Sequence, residues 1–283
     1  MTKEHAKSIK TKLLNIARKD RSDYQVLLIR YLYERLLYRL SVSRYRERFC
    51  LKGGALLYAY EKEFPRPTLD IDLLGINIKN DETVLKQIFI EIMSIPCESD
   101  GVVFDVNSIK TEDIAENKAY HGFRLIYIAH LDSIIQTMKV DIGFGDVITP
   151  AAQLLSYPTL IRDLPVPDIL AYSLETVVAE KFHAMIDLAE SNSRYKDFYD
   201  VYKILLQNEL DATNLTDAIL ATFHNRQTKF KANHSLFSDD FMKNQNSNMQ
   251  WQRFLKKIKY NENLNFETVM LLIKSKLQPA FEG

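Results

Sequence analysis

Apolar positions recur three and four residues apart over residues 4–18 and 23–41, where Leu27, Leu28, Tyr31, Leu32 and Leu36 share one stripe with Arg35. That spacing predicts two helices, with Asp20-Arg21-Ser22-Asp23 as the cap between them. Phe49 to Tyr60 holds Lys52-Gly53-Gly54 and then the apolar start of a helix at Ala55. Leu69 to Ile76 begins by alternating carboxylate and apolar residues, a strand pattern, and Asp81 to Met93 reads as helical. Val102–Val106, Phe123–Ala129 and Thr137–Phe144 are β-rich runs that predict a meander. Pro150, Pro158, Pro165 and Pro167 punctuate a connecting stretch. After Asp168 the texture becomes helical: Leu174–Ala189, Lys196–Leu206, Asn214–His224, Met249–Tyr260 and Phe266–Lys276 carry the period, and polar 233–248 reads as a loop. The pattern predicts an α+β chain, with a mixed sheet and flanking helices over 1–150 and a helical domain over 151–283.

Composition narrows this picture. With 283 residues, 46% hydrophobic and 26% charged, the chain can bury a sizeable core. Eight Gly and eight Pro are too few for a many-turned all-β fold. No apolar run approaches the roughly 18 residues of a membrane span, and the first twenty residues lack the apolar stretch of a secretory signal. Two cysteines, Cys50 and Cys97, without CxxC spacing argue against a disulfide framework or zinc site, so a cytoplasmic setting is expected. Six scattered histidines show no HxxxH spacing.

The formal net charge is zero but unevenly distributed. Residues 1–52 carry a net +9, residues 53–223 a net −14 and residues 224–276 a net +6. An acidic middle between basic ends suits a carboxylate cation site flanked by elements that grip a polyanion, or two ordinary solvated helical surfaces. Tyr31, Tyr33, Tyr38 and Tyr45, interleaved with Arg30, Arg35, Arg39, Arg44, Arg46 and Arg48, fit either stacking on RNA or an amphipathic helix that buries its tyrosines.

Asp70-Ile71-Asp72 is the sharpest local signal. On a strand the two carboxylates project from one face, with Leu69, Ile71 and Leu73 expected to bury the other. Like charges at one spot are costly unless a cation sits between them, and Mg²⁺ favours carboxylates with phosphate oxygens. Asp141 on another predicted strand could add a third oxygen. Gly53-Gly54, ahead of a helix, lets backbone N–H groups approach a phosphate, or is simply a helix-start turn. Neither GxxxxGK[ST] nor GxGxxG is present.

KGGALL followed by RPTLDIDLLG resembles the first motif of polymerase-β-type nucleotidyltransferases, with Lys52 and Arg66 flanking as in the AbiEii/AbiGii toxin group. VVAEKFHAM with Lys181 resembles that group's helical EKL-x-A motif, and SRYKDFYDVYKI resembles its R-x-KDF-x-D motif. Tyr120 to Arg124 and Trp251 to Leu255 are less specific matches, and the likeness runs from about Tyr24 to Trp251. Ala55 stands where the group usually has Thr, and Thr68 where Ser is common.

The resemblance implies a nucleotidyltransferase-type sheet followed by a helical domain, and a Mg²⁺-dependent toxin, with Mn²⁺ an alternative cation. Asp70 and Asp72 would bind the metal, with Asp141 as third ligand or base. Lys181 would hold the triphosphate, and Asp197 would orient Lys181 or the nucleotide. Lys52, Gly53, Gly54, Arg66, Thr68 and Arg194 would contact nucleotide, with RNA a second option for Arg194. Asp200 would be structural. NTP is the implied substrate, RNA (a tRNA 3′ end) the implied acceptor, and an antitoxin the implied partner, bound directly or not. A protein hydroxyl or small molecule as acceptor, and a nucleotide-binding module without turnover, are the alternatives.

Overall fold

A computed structural model describes residues 3–60, 66, 68–117, 120–188, 194–229, 234–260 and 262–281. The chain divides into two compact units: Met1–Gly145 with Gln153–Ala171, and Asp146–Ala152 with Tyr172–Gly283. None of the described helices is long and apolar enough to cross a membrane.

The first unit runs α1 (Lys3–Lys19), α2 (Tyr24–Ser41), β1 (Phe49–Lys52), α3 (Gly53–Tyr60), β2 (Ile71–Gly75) and α4 (Glu82–Met93). It continues through β3 (Val102–Asn117), β4 (Tyr120–Leu131), β5 (Ile134–Phe144), β6 (Gln153–Ser156) and β7 (Asp168–Ala171). These strands form one mixed sheet in the order β3-β4-β5-β2-β1-β7-β6. Strand β2 is parallel to β5 and antiparallel to β1, and β1 is parallel to β7. The α+β class and the meander expected from the pattern are both present.

Several details differ from the sequence reading. The strands at β1, β6 and β7 were not anticipated, because four residues each are too few to show a period. The apparent connector around Pro150–Pro167 therefore contributes a sheet edge. Strand β3 runs well beyond Val106, past a register shift between Asp105 and Lys110. Leu69 is 51% exposed, whereas Ile71 and Leu73 are buried as expected.

Helix α2 is the strut of this unit. Asp23 caps it, its carboxylate accepting from the Gln25 and Val26 N–H groups. Its tyrosines and arginines do not form a surface band: Tyr31, Tyr33, Arg35 and Arg39 are all buried. The Tyr31 hydroxyl donates to Asp100 O at 2.6 Å. Arg35 donates to Pro165 O and pairs with buried Glu34, whose other oxygen accepts from Leu160 N–H at 2.7 Å. Arg39 pairs with Asp100 at 2.7 Å and donates to the carbonyls of Arg35, Ile95 and Val102. A buried cation so fully satisfied fixes where a helix sits, while costing desolvation. The core beneath is apolar: Leu125, Tyr127, Met138, Val140 and Ile142 line one sheet face, and Phe89 of α4 meets Phe49 of β1 edge-on.

The second unit is helical: α5 (Leu174–Leu188), α6 (Tyr195–Gln207), α7 (Ala212–Asn225), α8 (Asp239–Met242), α9 (Gln245–Lys257) and α10 (Phe266–Leu277). The expected loop over 233–248 instead holds α8 and the start of α9, because Ser238 and Asn244 accept from Phe241 and Ser247 N–H groups as N-caps. The core gathers Tyr195, Phe198, Trp251 and Phe266, with the Trp251 indole donating to Leu264 O at 2.8 Å. His183 of α5 is buried against Phe223, and its Nε2 lies 2.7 Å from Thr228 Oγ1. Burial first, and the nearby Arg226 charge second, hold its imidazole down at a pKa of about 4.

Two outcomes test these cores. Asp100→Ala strands a buried guanidinium and should destabilise the first unit by about 3–5 kcal/mol in a urea melt followed by circular dichroism. Arg39→Met/Asp100→Leu should recover most of that loss. His183 stays neutral when folded, so between pH 6.5 and about 4 only the unfolded chain binds its proton. Stability of the second unit, read by the single Trp251, should therefore be full above pH 6.5. It should fall as pH drops through that window, by at most about 1.4 kcal/mol per pH unit. His183→Gln should flatten the fall.

Candidate active site

In the first unit the chain leaves β1 at Lys52 and turns directly into α3. Gly53 makes that turn with φ +68, a left-handed conformation that side chains rarely adopt. There is a second reason for glycine. A Cβ at Gly53 would lie 2.0 Å from Asp72 Oδ2, so the Asp72 carboxylate occupies the space that any other residue would fill. At Gly54 a Cβ would meet Thr68 Oγ1 at 3.1 Å and Arg66 Nη2 at 3.2 Å. Arg66 and Thr68 thus close over the second glycine. The backbone ahead of Asp70 is tied to α3 by Thr68 N–H donating to the Tyr58 hydroxyl at 3.4 Å.

Sheet register brings the charged groups into one row. Lys52 stands opposite Asp72 on the antiparallel side, and Asp141 stands beside Asp72 on the parallel side. Arg124 of β4 is the partner of Asp141. Residues directly across strands share a face, so the row reads Lys52, Asp72, Asp141, Arg124. Asp70, exposed just before β2, belongs to the same end. The Arg124 fork grips Asp141, Nε to Oδ1 and Nη2 to Oδ2, both at 2.7 Å. That bond is the main cause of the guanidinium pKa rising above its already high value.

Two of these residues escaped the sequence reading as site groups. Arg124 was legible in principle: the hairpin turn at Asp132-Ser133 pairs Leu131 with Ile134, and counting back places Arg124 opposite Asp141. Tyr33 was not. From α2 its hydroxyl reaches Lys139 O at 2.7 Å and Leu69 O at 3.0 Å, linking the approach to β2 with the middle of β5. Burial pushes its pKa up, and the Asp70, Asp141 and Asp72 charges add to the rise.

The remaining sequence candidates lie in the second unit. Lys181 of α5 bonds Asp197 at 2.9 Å and Asp200 at 2.7 Å, both on α6. Arg194 holds the other Asp197 oxygen at 2.8 Å. Both carboxylates are fully buried and the Lys181 side chain is 11% exposed, so this is no solvated surface lysine. Asp200 is as much a partner of Lys181 as Asp197 is. Beside it, Glu180 takes the Tyr172 hydroxyl at 3.3 Å and faces Arg226, which pairs with Asp146 at 2.9 Å.

As placed, no group of three or more His, Cys, Asp or Glu among the described residues forms a metal cage. The all-oxygen donor set of Asp70 and Asp72 fits a hard divalent cation completed by phosphate oxygens. Asp141 stands next to it as an ion-pair partner of Arg124.

Adjacent carboxylates on a mixed sheet, set against a glycine turn that opens a helix, mark a nucleotidyltransferase. The profile described as "Nucleotidyl transferase AbiEii toxin, Type IV TA system" matches residues 35–278, most of the chain. The protein belongs to the AbiEii nucleotidyltransferase toxin family, whose members are toxins of toxin–antitoxin systems and use NTP. Among solved structures, JHP933 from Helicobacter pylori is similar at 15% identity, covering 92% of this chain and 93% of that one with a TM-score of 0.50. A candidate nucleotidyltransferase from H. pylori gives 16%, 92%, 96% and 0.49. An antigenic nucleotidyltransferase-like protein from Paracoccidioides brasiliensis gives 13%, 69%, 89% and 0.38. Comparison with curated proteins found no match.

Gly53→Ala should displace the Asp72 carboxylate by an ångström or more and lower nucleotidyl transfer by about a hundredfold, the scale of such misplacement. Gly145→Ala is the control: its φ is +83 but nothing lies within 4 Å of the added Cβ. It should carry backbone strain and leave transfer largely intact.

Proposed function

We propose that this chain transfers NMP from an NTP to RNA, at a tRNA 3′ end, and so blocks aminoacylation, translation and growth. The observation that carries the reading is the row Lys52, Asp72, Asp141, Arg124 beside the glycine turn, in a chain of the AbiEii family. Asp70 and Asp72 would hold Mg²⁺, or Mn²⁺ in its place. The bound metal supplies charge neutralisation at the phosphates as pyrophosphate leaves. Gly53 and Gly54 let the chain approach those phosphates closely, and Lys52, Arg66 and Thr68 surround the same turn. Asp141, beside Asp72 in register, would add a third oxygen to the cation or accept the proton of the acceptor hydroxyl, once Arg124 releases it. The acceptor oxygen bonds to the α-phosphorus, and the bond to the β-phosphate oxygen breaks.

Lys181 of the second unit would contact the triphosphate, a reading supported by the ion pairs with Asp197 and Asp200 that hold it in place beside Arg194. A lysine held by two carboxylates is fixed in place, which suits a triphosphate contact. The RNA acceptor is supported by the basic segments 1–52 and 224–276, although Arg35 and Arg39 are spent on the core. Exposed Arg44 and Arg48 remain at the surface. The family description implies an antitoxin that opposes this activity, and a role in phage-abortive infection fits the same chemistry.

The test is transfer from each α-³²P-NTP, with Mg²⁺, to total bacterial tRNA. Wild type should label tRNA with one preferred nucleotide. Asp70→Ala should lose roughly a thousandfold, the scale of several kcal/mol of transition-state charge stabilisation. Labelling should fall steeply with added salt. Labelled protein instead of RNA in a lysate would overturn the acceptor assignment, and NTP binding without any transfer would overturn the reaction.

A further inference from the structure

We infer that Arg124 is a two-position residue that competes with a divalent cation for Asp141 and moves to Glu112 when the cation claims Asp141. This rests on the metal-dependent transfer proposed above.

The geometry supplies both positions. Arg124 on β4 has Asp141 directly across on β5 and Glu112 directly across on β3. All three share one sheet face. The guanidinium now takes both Asp141 oxygens, at 2.7 Å each. Glu112 is exposed, and its charge already reaches Arg124, as does that of Asp70. A swing from one neighbouring strand to the other therefore exchanges one carboxylate partner for another.

Electrostatics gives the swing a cause. Asp72 and Asp141 lie on adjacent strands, roughly 4.8 Å apart. Without a cation their repulsion is relieved by Lys52 on one flank and Arg124 on the other. A divalent ion beside Asp141 removes the repulsion and itself repels the guanidinium. The pair is also open enough to exchange: Arg124 is 34% exposed and Asp141 22%. A bidentate fork is among the stronger ion pairs, but its exposure to water lets a divalent ion, with twice the charge, compete for the carboxylate. The buried Arg39–Asp100 pair of the same unit, at 3% and 0%, has no such freedom. Arg124 thus acts through Asp141, as a positioning residue, and makes the third carboxylate conditional on the cation.

Mn²⁺ alone, titrated by electron paramagnetic resonance against wild type, Arg124→Gln, Glu112→Gln and Asp141→Asn, tests this without reference to turnover. Arg124→Gln removes the competitor and should tighten Mn²⁺ by about fivefold, the scale of a part-exposed ion pair. Glu112→Gln removes the second position and should weaken Mn²⁺ by about twofold to fivefold. In Asp141→Asn the Arg124→Gln gain should vanish, a non-additive cycle that a merely structural arginine would not give. Arg124→Lys keeps the charge without the fork, so it should fall between wild type and Arg124→Gln; it stands in if the glutamine variant does not fold. Unchanged or weakened Mn²⁺ binding in Arg124→Gln or Arg124→Lys would overturn the inference while leaving the metal reading intact. Absence of Mn²⁺ binding to wild type, with or without NTP, would overturn both.

Discussion

The arrangement of the first unit follows from one electrostatic constraint. Asp72 and Asp141 are neighbours on parallel strands, and two adjacent carboxylates are stable only with positive charge beside them. The sheet supplies it through register, setting Lys52 on one side and Arg124 on the other. Register is rigid because the opposite face is buried: a one-residue slip of β2 would drive Ile71 and Leu73 out and Asp72 into the core. Tyr33 adds a pin at the end where it matters, joining the backbones of Leu69 and Lys139. Gly53 completes the arrangement by leaving room for the Asp72 carboxylate.

The same logic of compensated charge recurs away from the strands. Helix α2 carries Glu34, Arg35 and Arg39 into the core and ties each to backbone or to an opposite charge. Such groups add little net stability but define one docking of the helix, since any other leaves a buried ion unpaired. In the second unit Lys181, Asp197, Asp200 and Arg194 balance two positive against two negative charges. Membership of the AbiEii family gives the chain a reaction in which a highly charged nucleotide must be held and its leaving group neutralised. A protein doing that chemistry has to store unlike charges close together without letting them collapse, and buried hydrogen-bonded pairs do so.

What the sequence determined by itself was local. The helical stripes, the DxD alternation and the glycine pair are short-range patterns, fixed by periods of 3.6 and 2 and by the missing Cβ of glycine. They sufficed for the α+β class and for singling out the glycine turn and the Asp70–Asp72 segment, which the fold sets against each other at Gly53 and Asp72. The short strands at Phe49–Lys52, Gln153–Ser156 and Asp168–Ala171 were illegible because each takes its identity from a partner far along the chain. Tertiary structure alone decided which charges meet. Arg35 and Arg39, which the spacing left open between an RNA-facing band and a packed helix, became core struts, Asp141 is gripped by Arg124, and Tyr33 reaches two strands from a helix. Coulombic and hydrogen-bonding partners are chosen by distance in space, and sequence spacing reports that distance only within a helix turn, a strand pair or a tight hairpin.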